Sequence, residues 1–199
     1  KFAKTVHRAW KMANLRNGLI ENQITIGNGD LSDYNDLGRA SIVLAVAAMD
    51  SYFTEAFFEK LIPFLRAKKP TKELIKKLEC AGFGLADALK LLNDKDPYGH
   101  IRSTLENYLE KYVTQSVEKI DSLFLAYGYK HISKSAEAKS KNKTLIKTVE
   151  LLVRRRHQIV HDGDYIKNGK LRTFNQAKVT TGVQSLENFV TACDEILFP

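Results

Sequence analysis

The stretch LIKTVELLVRRRHQIVHD, residues 145–162, organises the chain and carries its most reactive side chains. A stripe at helical spacing runs along it: Leu145, Val149, Leu152, Arg156 and Val160. Steps of three and four residues place these side chains on one face of an α-helix. Asp162-Gly163 then predicts the end of that helix, because glycine commonly follows the last helical residue. A guanidinium, Arg156, therefore falls where an apolar side chain is expected.

The end of this predicted helix concentrates groups suited to phosphate chemistry. Arg156, His157 and His161 lie within six positions. Arginine is a permanently charged, fork-shaped phosphate ligand, and histidine is the side chain best suited to proton transfer near neutral pH. On a straight helix His157 and His161 share a face, whereas Arg156 lies about 140° away from His161. If the helix loosens before Asp162, His161 can swing toward Arg156. Either arrangement predicts chemistry on a phosphodiester.

Two other interpretations of these residues stay open. Arg156 is structural if a core carboxylate such as Asp50 or Glu55 pairs with it. His157 and His161 also have the spacing of two metal ligands on one helix. Gln158, however, stands where zinc hydrolases place a glutamate, and no third ligand is evident. We therefore predict no metal site.

Positive charge is concentrated around the same helix. The net charge of the chain is +8, and residues 130–178 contain thirteen Lys or Arg against four acids. A basic surface of this kind favours nucleic acid or another polyanion. The candidate phosphate ligands within it are Arg154, Arg155 and Lys147.

Composition bounds the remaining possibilities. A length of 199 residues predicts a single domain over 1–199. No apolar run approaches the length of a membrane span, and the N-terminus lacks the apolar core of a secretory signal. We therefore expect a cytoplasmic protein that has no membrane among its partners. Cys80 and Cys193 lack partners at metal-ligand or redox spacing and are predicted to be buried small residues.

Helical spacing extends over most of the chain. Four longer helices are predicted in addition to that of residues 145–162: about Val6–Ile24, Ile42–Leu61, Ile101–Tyr127 (with Tyr112 on its apolar stripe) and Val179–Leu197. Asp33 or Asp36 is predicted to cap the second of these, and Thr71 to cap a short helix ending near Gly82. Another short helix is predicted before Asn93, and residues 128–143 are predicted to form a basic connection. Long helices with short connections predict an all-α antiparallel bundle.

At this point the residues resemble a known family. Arg156 and His161, with four residues between them and late in a long helix, are similar to the Arg-x4–6-His signature of the HEPN superfamily. The wider string RRRHQIVHDGD, residues 154–164, resembles the Arg-Arg-Asn-x-Ile-x-His-x-x-Asp segments of its RiboL-PSP branch. The apolar helix Ala40–Phe58 looks like the early core helix of that branch. The resemblance implies an all-α helical bundle of the HEPN type with extra short helices.

The resemblance also implies a function. Members are metal-independent endoribonucleases, commonly toxins or antiviral defence effectors, that act as homodimers through the motif helix. It implies that His161 serves as base or acid in attack by an RNA 2′-hydroxyl, which leaves a cyclic phosphate. Arg156 would stabilise the charge on the phosphate oxygens, and His157 would orient Arg156 or supply the second proton-transfer group. No cofactor is implied.

The same resemblance assigns the partners. Arg154, Arg155 and Lys147 would hold flanking RNA phosphates, and an antitoxin or a larger defence complex would be the protein partner. Two alternatives stay open. One is a non-catalytic helical module that binds RNA or a partner. The other is a structural dimerisation protein whose arginines pair with carboxylates.

Overall fold

The computed structural model of the chain describes residues 1–110 and 116–199. The described residues are largely helical and include no strand, apart from one isolated antiparallel bridge between Tyr165 and Leu171. The helices, in chain order, are α1 (Phe2–Glu21), α2 (Leu31–Ala67), α3 (Lys72–Cys80), α4 (Leu85–Lys90), α5 (Pro97–Leu109), α6 (Val117–Phe124), α7 (Ile132–Ser140), α8 (Leu145–Asp162) and α9 (Gln176–Leu197). The predicted all-α class is confirmed.

The backbone divides into two compact units. The first comprises residues 1–52 and 133–199, and the second comprises residues 53–132. Helices α1, α8 and α9 belong to the first unit, whereas α3 to α6 belong to the second. The single domain over 1–199 stays a prediction.

In the first unit, α9 is the helix against which α1 and α8 pack. Leu145, Val149 and Leu152 of α8 are buried, as the stripe predicts. Gly182 of α9 allows close packing there, since a Cβ at this position would lie 2.7 Å from the Leu152 side chain. Burying a leucine or valine side chain of this kind contributes about 1.5–3 kcal/mol. The buried half of α8 is thus fixed on α9.

In the second unit, an aromatic cluster forms the core. Phe53, Phe57 and Phe124 are fully buried, and the ring of Tyr127 lies 5.0 Å from that of Phe57. The Tyr127 hydroxyl donates a hydrogen bond to the Phe57 carbonyl oxygen at 2.6 Å. Burial raises the pKa of this phenol well above its ordinary value. The cluster therefore combines apolar packing with a satisfied polar group.

Two predicted helix ends are confirmed. The Thr71 side chain accepts a hydrogen bond from the Leu74 N–H at 3.0 Å and caps α3. Gly163 follows α8 with a φ of 59°, the left-handed conformation that glycine adopts without steric cost. Both signals are local, which is why the sequence alone reveals them.

Three predictions about elements are wrong. Residues 101–127 do not form one helix, because Ser116 is extended and accepts a hydrogen bond from the Lys119 N–H, which makes it the N-cap of α6. Tyr112 lies outside the described residues.

Residues 128–143 contain α7, since Ile132 and Ala136, four positions apart, are both buried. Helix α2 begins at Leu31, so the predicted caps Asp33 and Asp36 lie inside it.

Two expectations about burial and hydropathy also change. Cys193 is buried as predicted, but Cys80 is exposed at the end of α3. Contrary to expectation, α2 is long and apolar enough to cross a membrane by length and composition. However, 56% of its most apolar window is buried inside the protein, which is the environment of a core helix.

Candidate functional site

The two motif histidines lie side by side on α8. The ring centroids of His157 and His161 are 4.2 Å apart, and both side chains are exposed. The predicted shared face is therefore confirmed. Helix α8 continues through Asp162, so of the two arrangements that the sequence allowed, the straight helix is the one observed. The pair is held on a regular helix with its imidazoles open to solvent.

A line of exposed side chains leads along α8 to this pair. Lys147, Arg154 and His161 follow one another at intervals of seven residues. Seven residues are almost two full turns of an α-helix, so the direction of each side chain differs from that of the one before by only about 20°. All three are exposed. Successive members are about 10 Å apart along the axis, and the exposed acid Glu150 lies between the first two. Two predicted phosphate ligands, Lys147 and Arg154, thus share a face with the histidines.

Arg156 has a different environment. It is half-buried, and its Nε is buried without a hydrogen-bond partner among the described residues. Exposure along its stripe rises from 5% at Leu152 to 48% at Val160, so the apolar stripe opens to solvent at the motif. No described carboxylate of its own unit, Asp50 included, forms an ion pair with it. An unsatisfied buried N–H carries an energetic cost that a ligand would relieve.

Arg155, expected to hold a phosphate, is engaged within the protein. Its Nη2 lies 2.7 Å from Oδ2 of Asp164, and the same oxygen accepts from Nε of Arg39 at 2.6 Å. The Asp164 side chain is fully buried, and those of Arg39 and Arg155 are only 8% and 20% exposed. Burial lowers the pKa of Arg155, and Asp164 opposes that effect. Arg155 therefore ties α8 to the segment that follows it.

The chain reversal after α8 directs Asp164 inward. Gly163 and Asp164 both have positive φ angles, 59° and 65°, a conformation in which aspartate is tolerated better than most residues. The Asp164 N–H donates to the Gln158 carbonyl oxygen, which closes the end of α8, and the Arg172 N–H donates to the Asp164 carbonyl oxygen. The segment between α8 and α9 is consequently anchored to the motif helix.

Sequence reasoning missed a second anchor of that segment. Phe174 lies directly on Gly38 of α2, where a Cβ would overlap its ring. The guanidinium carbons of Arg16 and Arg39 lie 5.2 and 5.6 Å from the ring centroid, within cation–π distance. Gly38-Arg39, a glycine and a charge at the start of an apolar helix, is the signal that marks this contact in the sequence. Asp164 and Phe174 together fix the segment against α2.

His157 and His161 have the spacing of two metal ligands on one helix. No group of three or more His, Cys, Asp or Glu side chains in the described part of the chain could hold a metal ion. His157 and His161 therefore have no third ligand among those residues.

Comparison with known proteins identifies the family. The RiboL-PSP-HEPN family model matches residues 8–197, almost the whole chain. The chain belongs to the RiboL-PSP-HEPN family. HEPN domains are often RNases, so membership supports a role in RNA or nucleotide chemistry. No curated protein and no solved structure matches the chain significantly. In this RiboL-PSP-HEPN protein the Arg156–His161 motif occupies the last turns of α8, beside the anchored segment.

Proposed function

We propose that this protein is a metal-independent endoribonuclease, acting in the cytoplasm as a toxin or antiviral defence effector. The observation that carries the proposal is the exposed pair His157 and His161 at the end of a cationic line on α8. An antitoxin or a larger defence complex would control it. Family membership supports RNA as the substrate class.

The pair supplies the two proton transfers that RNA cleavage needs. His161 removes the proton from an RNA 2′-hydroxyl, and the resulting oxygen attacks the adjacent phosphorus. The bond from phosphorus to the 5′ oxygen breaks, and His157 gives that oxygen a proton. The products are a 2′,3′-cyclic phosphate and a 5′-hydroxyl, so atoms and charges balance. The step requires a neutral His161 imidazole as the base and a protonated His157 imidazolium as the acid.

Arg156 would stabilise the phosphate as negative charge develops on its non-bridging oxygens. Arg156 and His161 point about 140° apart on a single α8, so one chain does not direct both toward one phosphate. A second copy of the chain would supply the missing group. Val160, 48% exposed at the end of the Arg156 stripe, offers apolar surface for that contact. We therefore place the site at a homodimer interface formed by two α8 helices.

Cleavage of a single-stranded RNA in the presence of EDTA tests the chemistry. We expect the parent protein to cut and His161→Ala to lose at least about 100-fold in rate, as for the loss of a general acid or base. Arg156→Ala should fall by about 100-fold as well. Lys178→Ala, an exposed residue of the same basic segment, is the matched control and should retain the parent rate. Equal cutting by the parent and His161→Ala would refute the assignment.

Mixing two inactive variants tests the shared site. If each site takes Arg156 from one copy and His161 from the other, a heterodimer of Arg156→Ala with His161→Ala keeps one intact site of two. An equal mixture, after subunit exchange, should then recover about a quarter of the parent activity. A site formed within one chain would give no recovery.

The alternative is a non-catalytic RNA-binding module, and the exposed pair Lys147 and Arg154 favours it, because these cations bind phosphates without any chemistry. A parent protein that binds RNA but releases no cyclic phosphate would select this function. In that case His161→Ala would leave the affinity for RNA close to that of the parent.

A further inference from the structure

Helix α1 carries a concentration of positive charge outside the motif region. Residues 1–20 contain five cations and no carboxylate, and Glu21 is the first acid of the chain. The cations are Lys1, Lys4, Arg8, Lys11 and Arg16. A solvated helix normally mixes both signs of charge, because pairs three or four residues apart stabilise it. Helix α1 lacks that mixture over almost its whole length.

Three of these cations form one exposed stripe. Lys4, Arg8 and Lys11 fall within about 60° of the helix circumference and span about 10 Å along the axis. All three side chains are exposed, and none forms an ion pair with a described residue. The stripe is therefore a row of positive charges without counter-charges in the described part of the protein.

The opposite face of α1 is committed to the core. Val6, Ala9 and Ala13 are buried against the first unit, where α1 packs on α9. The Trp10 indole donates a hydrogen bond to Glu187 of α9 at 3.1 Å. The orientation of α1 is thus fixed by its apolar face, which leaves the cationic stripe facing solvent.

Helix α1 also contacts the segment that is anchored to the motif helix. The Arg16 guanidinium donates to Oδ1 of Asn35 at 2.8 and 3.1 Å and lies over the Phe174 ring. Phe174 belongs to the segment that Asp164 fastens to α8 through Arg155. The cationic helix and the motif helix are therefore attached to the same part of the first unit.

We infer that the Lys4–Arg8–Lys11 stripe of α1 is a second binding surface for RNA phosphates, separate from the motif helix. The inference rests on the proposed function, since it takes RNA as the substrate. Neutralising phosphates with lysine and arginine releases counterions and supplies affinity without sequence preference. The stripe adds phosphate contacts beyond those of the motif helix and takes no part in the bond-breaking step.

A membrane surface fits the stripe less well. Helices that lie on membranes present leucine, phenylalanine or tryptophan beside their basic face. Val6, Ala9 and Ala13 of α1 are buried, and its exposed large apolar side chains are Leu15, 47% exposed beside the cations, and Ile20, 37% exposed at the end of the helix. Charge complementarity with little exposed apolar area favours a phosphate backbone.

The salt dependence of RNA binding tests the inference. The variant Lys4→Gln/Arg8→Gln/Lys11→Gln is compared with its parent, both carrying His161→Ala so that the RNA stays intact. Binding to a labelled single-stranded oligonucleotide is followed by fluorescence anisotropy as salt rises. We expect the slope of log affinity against log salt to fall by about 2, or about 0.7 for each lost cation. The affinity at low salt should fall at least tenfold.

A matched control distinguishes the effect of the position of the lost charges from the effect of the lower net charge. Lys69→Gln/Lys72→Gln/Lys76→Gln removes the same charge from exposed lysines of the second unit and should leave the slope unchanged. In the active protein, the α1 variant should raise KM and leave kcat unchanged, because the stripe does not touch the reacting phosphate.

Each other outcome has a defined meaning. If the active parent cleaves RNA but the α1 and control variants bind equally well, the second surface is refuted and the proposed function stands. If the parent neither binds nor cleaves RNA, the proposed function fails and the inference fails with it. Stripe-dependent binding to phosphatidylserine vesicles without stripe-dependent RNA binding would assign α1 to a membrane surface and overturn the inference.

Discussion

Replacing Asp164 with asparagine removes a charge that Arg39 and Arg155 share. The substitution keeps the volume of the side chain and one oxygen acceptor, so its main effect is electrostatic. Asp164 is fully buried, Arg39 is 8% exposed, and both contacts to Oδ2 are short, at 2.6 and 2.7 Å. Without the carboxylate, Asp36 is the one acid among the described residues that still pairs with Arg39, and its side chain is 70% exposed. A solvated partner of this kind contributes about 1 kcal/mol or less.

The expected loss is that of breaking a buried ion pair by removing one partner. This costs about 3–5 kcal/mol, because the remaining charge stays buried without compensation. For a chain of about 200 residues each kcal/mol lowers Tm by about 2–4 °C. Asp164→Asn should therefore lower the free energy of unfolding by about 3–5 kcal/mol and the Tm by about 6–20 °C.

Urea unfolding followed by circular dichroism measures this loss. The matched control is Asp162→Asn, two residues away, whose carboxylate is 49% exposed and 3.7 Å from Arg172. The control should change the free energy of unfolding by less than about 1 kcal/mol. Adding Arg39→Met to Asp164→Asn should cost less than the sum of the two single changes, since the more deeply buried of the two unpaired charges is then gone. An Asp164→Asn protein within 1 kcal/mol of the parent would refute this view of the buried pair.

Further predictions concern packing and reactivity. Gly38→Ala should lower the free energy of unfolding by about 1–3 kcal/mol, because the added methyl overlaps Phe174; urea unfolding measures it, and Phe174→Leu should restore part of the loss. Gly18→Ala, in a helix with nothing within 4 Å of the new Cβ, should instead raise stability by about 0.5–1 kcal/mol. In the native protein a thiol reagent should modify Cys80, which is exposed, and leave Cys193, which is buried, unmodified until denaturant is added. Modification of both at equal rates would contradict the burial of α9.

Local signals account for the parts of the site that the sequence predicts. Val149 and Leu152 mark the buried face of α8 by spacing alone, and Gly163 marks its end by its tolerance of positive φ. The shared face of His157 and His161 follows from the same periodicity. Each of these features depends on residues within a few positions of one another, so no knowledge of the tertiary structure is needed.

Long-range contacts account for what the sequence does not reveal. Arg39 and Asp164 are 125 positions apart, and no periodic pattern indicates that they meet. The serine- and lysine-rich composition of residues 128–143 is typical of a loop, yet Ile132 and Ala136 give α7 a buried face. Tertiary packing overrides weak local preference in such cases.

The three consecutive arginines show how helical geometry, rather than residue type, separates the roles within one motif. Successive residues on α8 are about 100° apart, so three identical side chains reach three environments. Arg154 is exposed beside the histidines, Arg155 is paired with Asp164, and Arg156 is half-buried with an unpartnered Nε. Arg154 is free of the core, Arg155 holds the segment after the helix in place, and Arg156 forms no ion pair with a described residue. Because Arg39 and Arg155 share the buried Asp164 carboxylate, Arg156 keeps no ion-pair partner among the described residues, and its guanidinium stays open to an anionic ligand.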